Sequence, residues 1–292
     1  MILFSIIIPH YTTEGTDFLK KAVQSIPERN DIEVLIVDNS PVSINVDLFQ
    51  GRLNTNIYYS DNNLGAGGAR NVGLEHACGK WLLFLDADDF FTDDAFHYFD
   101  QYKDSDFDII FFKPTSLYPE TGEIADRHIR DCKYVDEFLN TGNEYPLRIS
   151  HCCPICKMIR KSFVNSNNIK FEEISAGNDV MFALNIGLKA NKITAENAVT
   201  YVITVSKGSI TNTLSLKNIN ARFGVTVRKN AILKEYGYKG NTSVMIHIYN
   251  ASRFGFCPCV KLIWKALITG NLFNGWRNWL GTLKGIDKTS NI

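Results

Sequence analysis

The chain has 292 residues, 45% of them hydrophobic and 21% charged, and 31 basic side chains balance 31 acidic ones. That length accommodates one large domain or two smaller ones with a sizeable core, and the composition is that of a soluble globular protein. The balanced charge excludes the basic footprint of general nucleic-acid binding.

Residues 1–9 are apolar but lack a basic n-region and a small-residue cleavage site, so they read as a buried first strand and not as a signal peptide. Residues 17–26 place Phe18, Leu19, Ala22, Val23 and Ile26 at helical spacing. Short apolar strands follow at 32–37 and 57–59; a glycine-rich turn then leads into a helix over 65–77, and a further strand covers 80–85. This alternation predicts an α/β fold with a mostly parallel sheet flanked by helices. Polar or turn-forming residues follow three of the strands, at 9–12, 38–40 and 86–89. Ligands of open α/β sheets bind outside the carboxyl ends of the strands, so this edge is the expected nucleotide pocket.

Residues 104–112 contain another apolar strand, and residues 114–150 lose periodicity and read as loop-rich. Helical spacing returns near Met181, residues 198–205 alternate like a strand, and the pattern beyond about 215 is helical. Seven cysteines without an export signal favour reduced thiols in a cytoplasmic compartment. His151-Cys152-Cys153-Pro154-Ile155-Cys156 and Cys257-Pro258-Cys259 have metal-like spacings. A zinc site built from them requires two distant clusters to meet, and buried free cysteine is the simpler reading.

The apolar run Trp81-Leu82-Leu83-Phe84-Leu85 ends abruptly in Asp86, Asp88 and Asp89. Carboxylates at i and i+2 beyond a buried strand suit a hard divalent cation that also takes phosphate oxygens. A loop entry with a helix cap is the alternative, since Asp is common at both.

Four segments in order carry a resemblance: Ser5-Ile6-Ile7-Ile8-Pro9-His10-Tyr11, Val37-Asp38-Asn39-Ser40, Gly68-Ala69-Arg70-Asn71-Val72-Gly73 and Leu85-Asp86-Ala87-Asp88-Asp89. Lys157-Met158-Ile159-Arg160-Lys161-Ser162-Phe163, Ile169-Lys170-Phe171 and Gly177-Asn178-Asp179-Val180-Met181-Phe182 extend it. In this pattern the chain resembles family 2 glycosyltransferases, inverting enzymes of the GT-A fold. The family usually has Glu-Asp where this chain has Asn178-Asp179, a second Asp where it has Asn39, and an Asn where it has Thr12.

The resemblance implies a GT-A domain over 1–215, with a nucleotide-sugar-binding half over about 1–100, an acceptor half over 101–215, and a helical extension over 216–292. It implies donor binding by Pro9, Tyr11, Asp38, Arg70 and Asp86, a divalent cation (Mn²⁺ or Mg²⁺) on Asp88 and Asp86, and Asp179 as catalytic base. Asp89 is left as a cap, and Asn71 as a structural bond to a neighbouring loop. In physical terms, Asp38 at a strand end suits a base N–H, and the Tyr11 ring an apolar platform. Asp179 opens an apolar helical stretch whose dipole favours the ionised carboxylate a base requires.

Val260, Ile263, Trp264 and Leu267 form one helical stripe, and Leu272, Trp276, Trp279, Leu280 and Leu283 another, with six basic residues and one acid between 253 and 288. Such a segment suits either peripheral membrane contact or packing onto the catalytic domain or a second subunit, as in a homo-oligomer. The resulting expectation is transfer of a sugar from a nucleotide sugar, read as a UDP-sugar, to a hydroxyl of a glycan or lipid-linked acceptor in surface polysaccharide synthesis, by a cytoplasmic protein at the inner membrane surface. Its rivals are a sugar-phosphate nucleotidyltransferase, whose basic opening loop is missing from residues 9–15, and a degenerate domain that binds sugar nucleotides without turnover.

Overall fold

The computed structural model describes residues 1–12, 15–205, 214–238 and 242–274. These fall into two compact units, Met1–Ile174 with Asn178–Lys207, and Ser175–Gly177 with Gly208–Ile292.

The first strand explains how the larger unit is layered. In β1 (Phe4–His10) every residue is buried, and successive side chains point to opposite faces. Phe4, Ile6 and Ile8 enter one apolar cluster and Ile7 enters another. The same split runs through β2 (Ile32–Asp38), where Val34 and Ile36 face one way and Leu35 the other. A strand with two buried faces needs cover on both, which is why it reads as an unbroken apolar run.

The sheet continues through β3 (Thr55–Tyr59), β4 (Trp81–Phe84), β5 (Phe90–Phe91), β6 (Ile109–Leu117), β7 (Lys157–Arg160) and β8 (Ile193–Thr204), in the order β3-β2-β1-β4-β7-β6-β8-β5. The β1, β2, β3 and β4 pairings are parallel, as is β6 with β8, whereas β7 runs antiparallel to both β4 and β6. The carboxyl ends of β1, β2 and β4 therefore share one edge. Helices α1 (Asp17–Gln24), α2 (Gly65–His76), α3 (Ala95–Tyr102), α4 (Ile129–Thr141), α5 (Lys161–Ser166) and α6 (Asn178–Lys189) belong to the same unit. Leu19, Ala22 and Val23 of α1 and Phe96 and Phe99 of α3 fill the first cluster; Phe163 and Val164 of α5 and Phe182 and Ile186 of α6 fill the second. Each of these Leu, Val, Ile and Phe side chains contributes ~1.5–3 kcal/mol on burial.

Two sequence expectations are corrected. Residues 114–150 are not loop-rich: β6 runs on to Leu117, α4 occupies thirteen residues, and Pro146–Ser150 form a π-helical turn. The helix escaped detection because its buried positions are only Asp131 and Val135, an acid and one aliphatic, so its apolar stripe is too thin to register. The strand expected to start at 198 starts at Ile193, and a register shift against β6 between Phe111 and Pro114 interrupts the alternation.

The far end of α6 is fixed from the π-helical turn. Arg148 Nη1 donates to the carbonyls of Gly187 and Ala190 at 2.8 and 2.7 Å. Gly187 permits this approach, because a Cβ there would fall on the Arg148 carbonyl oxygen.

The smaller unit contains α7 (Leu216–Glu235), α8 (Met245–Ser252) and α9 (Phe256–Ile268) around Ile219, Phe223, Val244, Ile248, Ala251, Leu262 and Ala266. Of the first expected C-terminal stripe, Val260, Trp264 and Leu267 are exposed, because α9 turns Leu262 and Ala266 inward instead. The second stripe lies, from Trp276 onward, outside the described residues. Among the described residues no helix is long and apolar enough to cross a membrane.

Candidate active site

The site gathers at the carboxyl ends of β1, β2 and β4. Three acids stand within four residues after β4, and each meets a different environment. Asp86 Oδ1 accepts a 2.7 Å bond from Arg70 Nη2 on α2, an ion pair in which the Arg70 side chain is 8% exposed. Asp89 is buried; its Oδ2 accepts from the Tyr201 hydroxyl at 2.8 Å and its Oδ1 from the Thr204 amide at 2.7 Å. Tyr201 Oη in turn accepts the Asp86 amide at 3.0 Å, so β8 holds both ends of the acidic turn. Asp88 is exposed and has no cationic partner among the described residues.

Burial first, and crowding of like charge second, shift Asp88 and Asp89 upward. Desolvation in the cleft, then the Asp86 charge, push the Asp88 carboxyl up to about 6. Burial, with Asp88 and Asp86 adding to it, raises Asp89 further still. Asp88, whose ionisation the neighbouring Asp86 charge opposes, forms with it an oxygen-donor pair that is a chemical fit for a divalent cation of the oxygen-seeking kind. The cap reading of Asp89 is corrected: its carboxylate is a cross-strand tie, and the residue preceding α3 is Asp94.

Arg70 does a second job. Its Nη1 donates to Asn178 Oδ1 at 2.9 Å, which joins the acidic turn to the first residue of α6. Asp179, the next residue, lies in the first turn of that helix. A ring cluster packs beneath: Phe171 stacks on Phe182 at 3.9 Å, Phe84 meets both edge-on, and the Arg70 guanidinium lies 5.5 Å from the Phe171 ring. The Asn71 side chain fixes the Phe171 main chain, its Oδ1 accepting from the Phe171 amide at 2.9 Å and its Nδ2 donating to the Phe171 carbonyl at 3.1 Å. Gly67 allows α2 to approach, since a Cβ there would strike the Glu172 carbonyl oxygen. Desolvation outweighs the helix dipole and the Arg70 charge at Asp179, whose carboxyl is raised, contrary to the dipole-only expectation.

Asp38 is 2% exposed, and its oxygens accept from the Ser40 amide and hydroxyl and from the Ile44 amide, so it organises the loop after β2. Pro9 is buried in β1, and Tyr11 is 51% exposed, which fits a pocket wall better than core packing. The structure therefore brings Asp86, Asp88, Arg70 and, through Asn178, Asp179 into one connected group, with Pro9, Tyr11 and Asp38 at neighbouring strand ends. Sequence reasoning missed three participants. Tyr201 and Thr204 are ordinary strand residues until the chain folds, and Lys157 was hidden inside an apolar stretch. Its buried ammonium donates to the carbonyls of His151 and Cys153, and its charge acts on Asp179. His10, buried beside Pro9, has no partner for either ring nitrogen among the described residues, a state that only the fold reveals.

Comparison with known proteins adds independent findings. The profile described as "Glycosyl transferase family 2" matches residues 5–166. Poly(ribitol-phosphate) beta-N-acetylglucosaminyltransferase TarS of Staphylococcus aureus is 28% identical over 212 residues, 66% of this chain and 34% of TarS. The chain thus spans about a third of the length of that relative. UDP-Glc:alpha-D-GlcNAc-diphosphoundecaprenol beta-1,3-glucosyltransferase WfaP of Escherichia coli is 25% identical over 258 residues, covering 86% of this chain and 93% of WfaP. The fold matches the crystal structure of S. aureus TarS 1-349 in complex with UDP-GlcNAc with a TM-score of 0.63 at 20% identity, over 94% of this chain and 74% of that one.

Two measurements probe the acidic turn. Tyr201→Phe removes the hydroxyl shared by Asp86 and Asp89 and should lower stability by about 1–3 kcal/mol in urea unfolding; an unchanged midpoint would mean that the hydroxyl is no tie. The raised Asp88 value means that the protonated form favours the folded chain: the contribution is full below 3.8 and lost as pH rises through about 6. In chelator, Asp88→Asn should therefore be more stable than the parent near neutral pH, by about 1 kcal/mol after allowance for solvent screening, and the gain should vanish in acid.

Proposed function

The chain belongs to glycosyl transferase family 2, and from that premise we propose that it is an inverting, metal-dependent transferase that moves a sugar from a UDP-sugar to a hydroxyl of a glycan or lipid-linked acceptor. The observation that carries the proposal is the linkage of Asp86 to the start of α6 through one guanidinium, which sets a diphosphate-type carboxylate pair and a candidate base in a single frame.

Residues 1–100 form the donor half. Tyr11 and Pro9 line the base and ribose, and Asp38 retains acceptor capacity for a base N–H at Oδ2, which takes one hydrogen bond, from the Ile44 amide. Arg70 acts on the donor side through Asp86, which it orients. Asp88, with Asp86, holds the divalent cation, Mn²⁺ or Mg²⁺, which when bound offsets the charge of the diphosphate leaving group. Residues 101–215 form the acceptor half, where Asp179 takes the proton of the attacking hydroxyl. Its raised pKa suits that task, because a base works best when its pKa approaches the working pH. Attack opposite the leaving nucleoside diphosphate inverts the anomeric carbon. Support for a UDP-sugar and a cell-surface glycan comes from the names of WfaP and TarS and from the UDP-GlcNAc complex of the latter.

The exposed stripe of α9 adds a place for the reaction. Phe256, Val260, Trp264, Leu267 and Ile268 are exposed, with Lys261 and Lys265 beside them and no acid in the helix. A basic rim along an apolar arc complements an anionic lipid–water interface, so the protein works on the cytoplasmic membrane surface, where a lipid-linked acceptor would be presented.

With a UDP-sugar, a divalent cation and a glycan acceptor, the expected products are UDP and an inverted glycoside; pyrophosphate release would instead support nucleotidyl transfer. Asp179→Asn should lower kcat by about 10²–10⁴ with donor affinity unchanged, and full turnover in that variant would remove Asp179 as the base. The protein should float with anionic vesicles and lose retention on Lys261→Glu with Lys265→Glu; no retention of the parent chain would reject the membrane assignment.

A further inference from the structure

Away from the acids of β4, three side chains of different ligand chemistry meet between α4 and the segment after the π-helical turn. Asp131 comes from α4, and His151 and Cys153 come from the residues that lead into β7. One ligand atom from each lies within 4.8 Å of the others. Cys153 Sγ stands 3.5 Å from His151 Nδ1 and 3.9 Å from Asp131 Oδ2. Around a tetrahedral zinc ion, with Zn–S about 2.3 Å and Zn–N or Zn–O about 2.0–2.1 Å, neighbouring donors are separated by about 3.5 Å. The two separations from Cys153 Sγ are thus within about half an ångström of that spacing, and the His151 and Asp131 donors lie within 4.8 Å of each other.

The protein alone satisfies this cluster poorly. His151 is 2% exposed. Its Nδ1 meets only a thiol, a weak hydrogen-bonding group. Asp131 is 6% exposed, and Arg130 Nε engages its Oδ1 at 3.5 Å, leaving Oδ2 on the side of the sulfur. Lys157 donates to the carbonyls of both His151 and Cys153, which fixes the main chain carrying two of the three donors.

We propose that Asp131, His151 and Cys153 bind a borderline-soft divalent cation of the zinc class, at a site separate from Asp86 and Asp88. Sulfur and imidazole donors favour zinc over magnesium or manganese, whose preferred ligands are oxygens. Arg130 and Lys157 oppose any cation here, so the thiolate is indispensable and a hard ion without sulfur affinity is excluded. The fourth position falls to water. Binding ties α4 to the segment that leads into β7, the strand that pairs with β4.

The sequence pattern around the cysteines suggested a site only if the 151–156 and 257–259 clusters met. The fold supplies Asp131 instead, so Cys257 and Cys259 are dispensable. The test uses the full-length, metal-free chain titrated with Co²⁺. A single equivalent should produce a thiolate-to-cobalt charge-transfer band in the near ultraviolet with tetrahedral bands in the visible, bleached by Zn²⁺ and unaffected by excess Mg²⁺. Cys153→Ser should abolish the near-ultraviolet band, whereas Asp88→Ala and the Cys257→Ser, Cys259→Ser pair should retain it. Asp131→Asn, close to isosteric, should keep the band and weaken cobalt binding at least about tenfold, and covers the case in which the cysteine variant fails to fold. No band at stoichiometric Co²⁺, a band that survives Cys153→Ser, or unchanged affinity in Asp131→Asn would overturn the proposal.

Discussion

Everything at this site depends on how three carboxylates can be held within four residues at the end of one strand. Uncompensated, they repel one another and resist leaving water. The fold answers two of them differently, with a buried guanidinium for Asp86 and a phenol and a main-chain amide for Asp89, and leaves Asp88 at the mouth of the cleft. The acid left without any of these ties, Asp88, is the one free to engage something external. Its two neighbours are thereby structural as well as chemical, because the tie from Asp89 to β8 and the tie from Asp86 to α2 fix the direction in which Asp88 projects.

Arg70 makes this local solution serve a larger purpose. Its second donor group reaches Asn178, so the charge that quiets Asp86 also registers α6 against the strand end. The stacked rings of Phe171 and Phe182 keep the guanidinium in a half-apolar seat, where its hydrogen bonds are strong because water is scarce. A family pattern with Glu at position 178 would give that guanidinium a second anion. With Asn178 it has a neutral oxygen there, and the Arg70 charge is committed more fully to Asp86.

Much of this was legible before folding. The apolar runs of β1, β2 and β4 announce buried strands because both of their faces are covered, and the polar residues after them mark the ligand edge by position alone. Asp86, Asp88 and Asp179 stand out because an acid at the end of an apolar segment needs a reason. Other features left no local trace. Tyr201 and Thr204 come from a strand more than a hundred residues downstream of the turn they secure, Lys157 is a buried cation inside a strand, and α4 presents its core with an acid where periodicity looks for an aliphatic. The glycine-rich start of α2 was recognisable as a place of close approach, but only the structure names the Glu172 carbonyl as what approaches. In α9 the spacing was right and the direction was not decidable, since a helix with apolar residues around most of its circumference offers two faces and burial selects one.

The grip of Arg148 on the last turn of α6 gives that helix a consequence of its own. With Asn178 anchored at one end and Gly187 and Ala190 at the other, α6 behaves as a beam supported at both ends, and Asp179 rides beside a support, where a beam deflects least. Loops along its span can change length and chemistry while the position of that carboxylate stays put. A scaffold of this kind lets acceptor preference drift over evolutionary time without retuning the reacting geometry on each occasion.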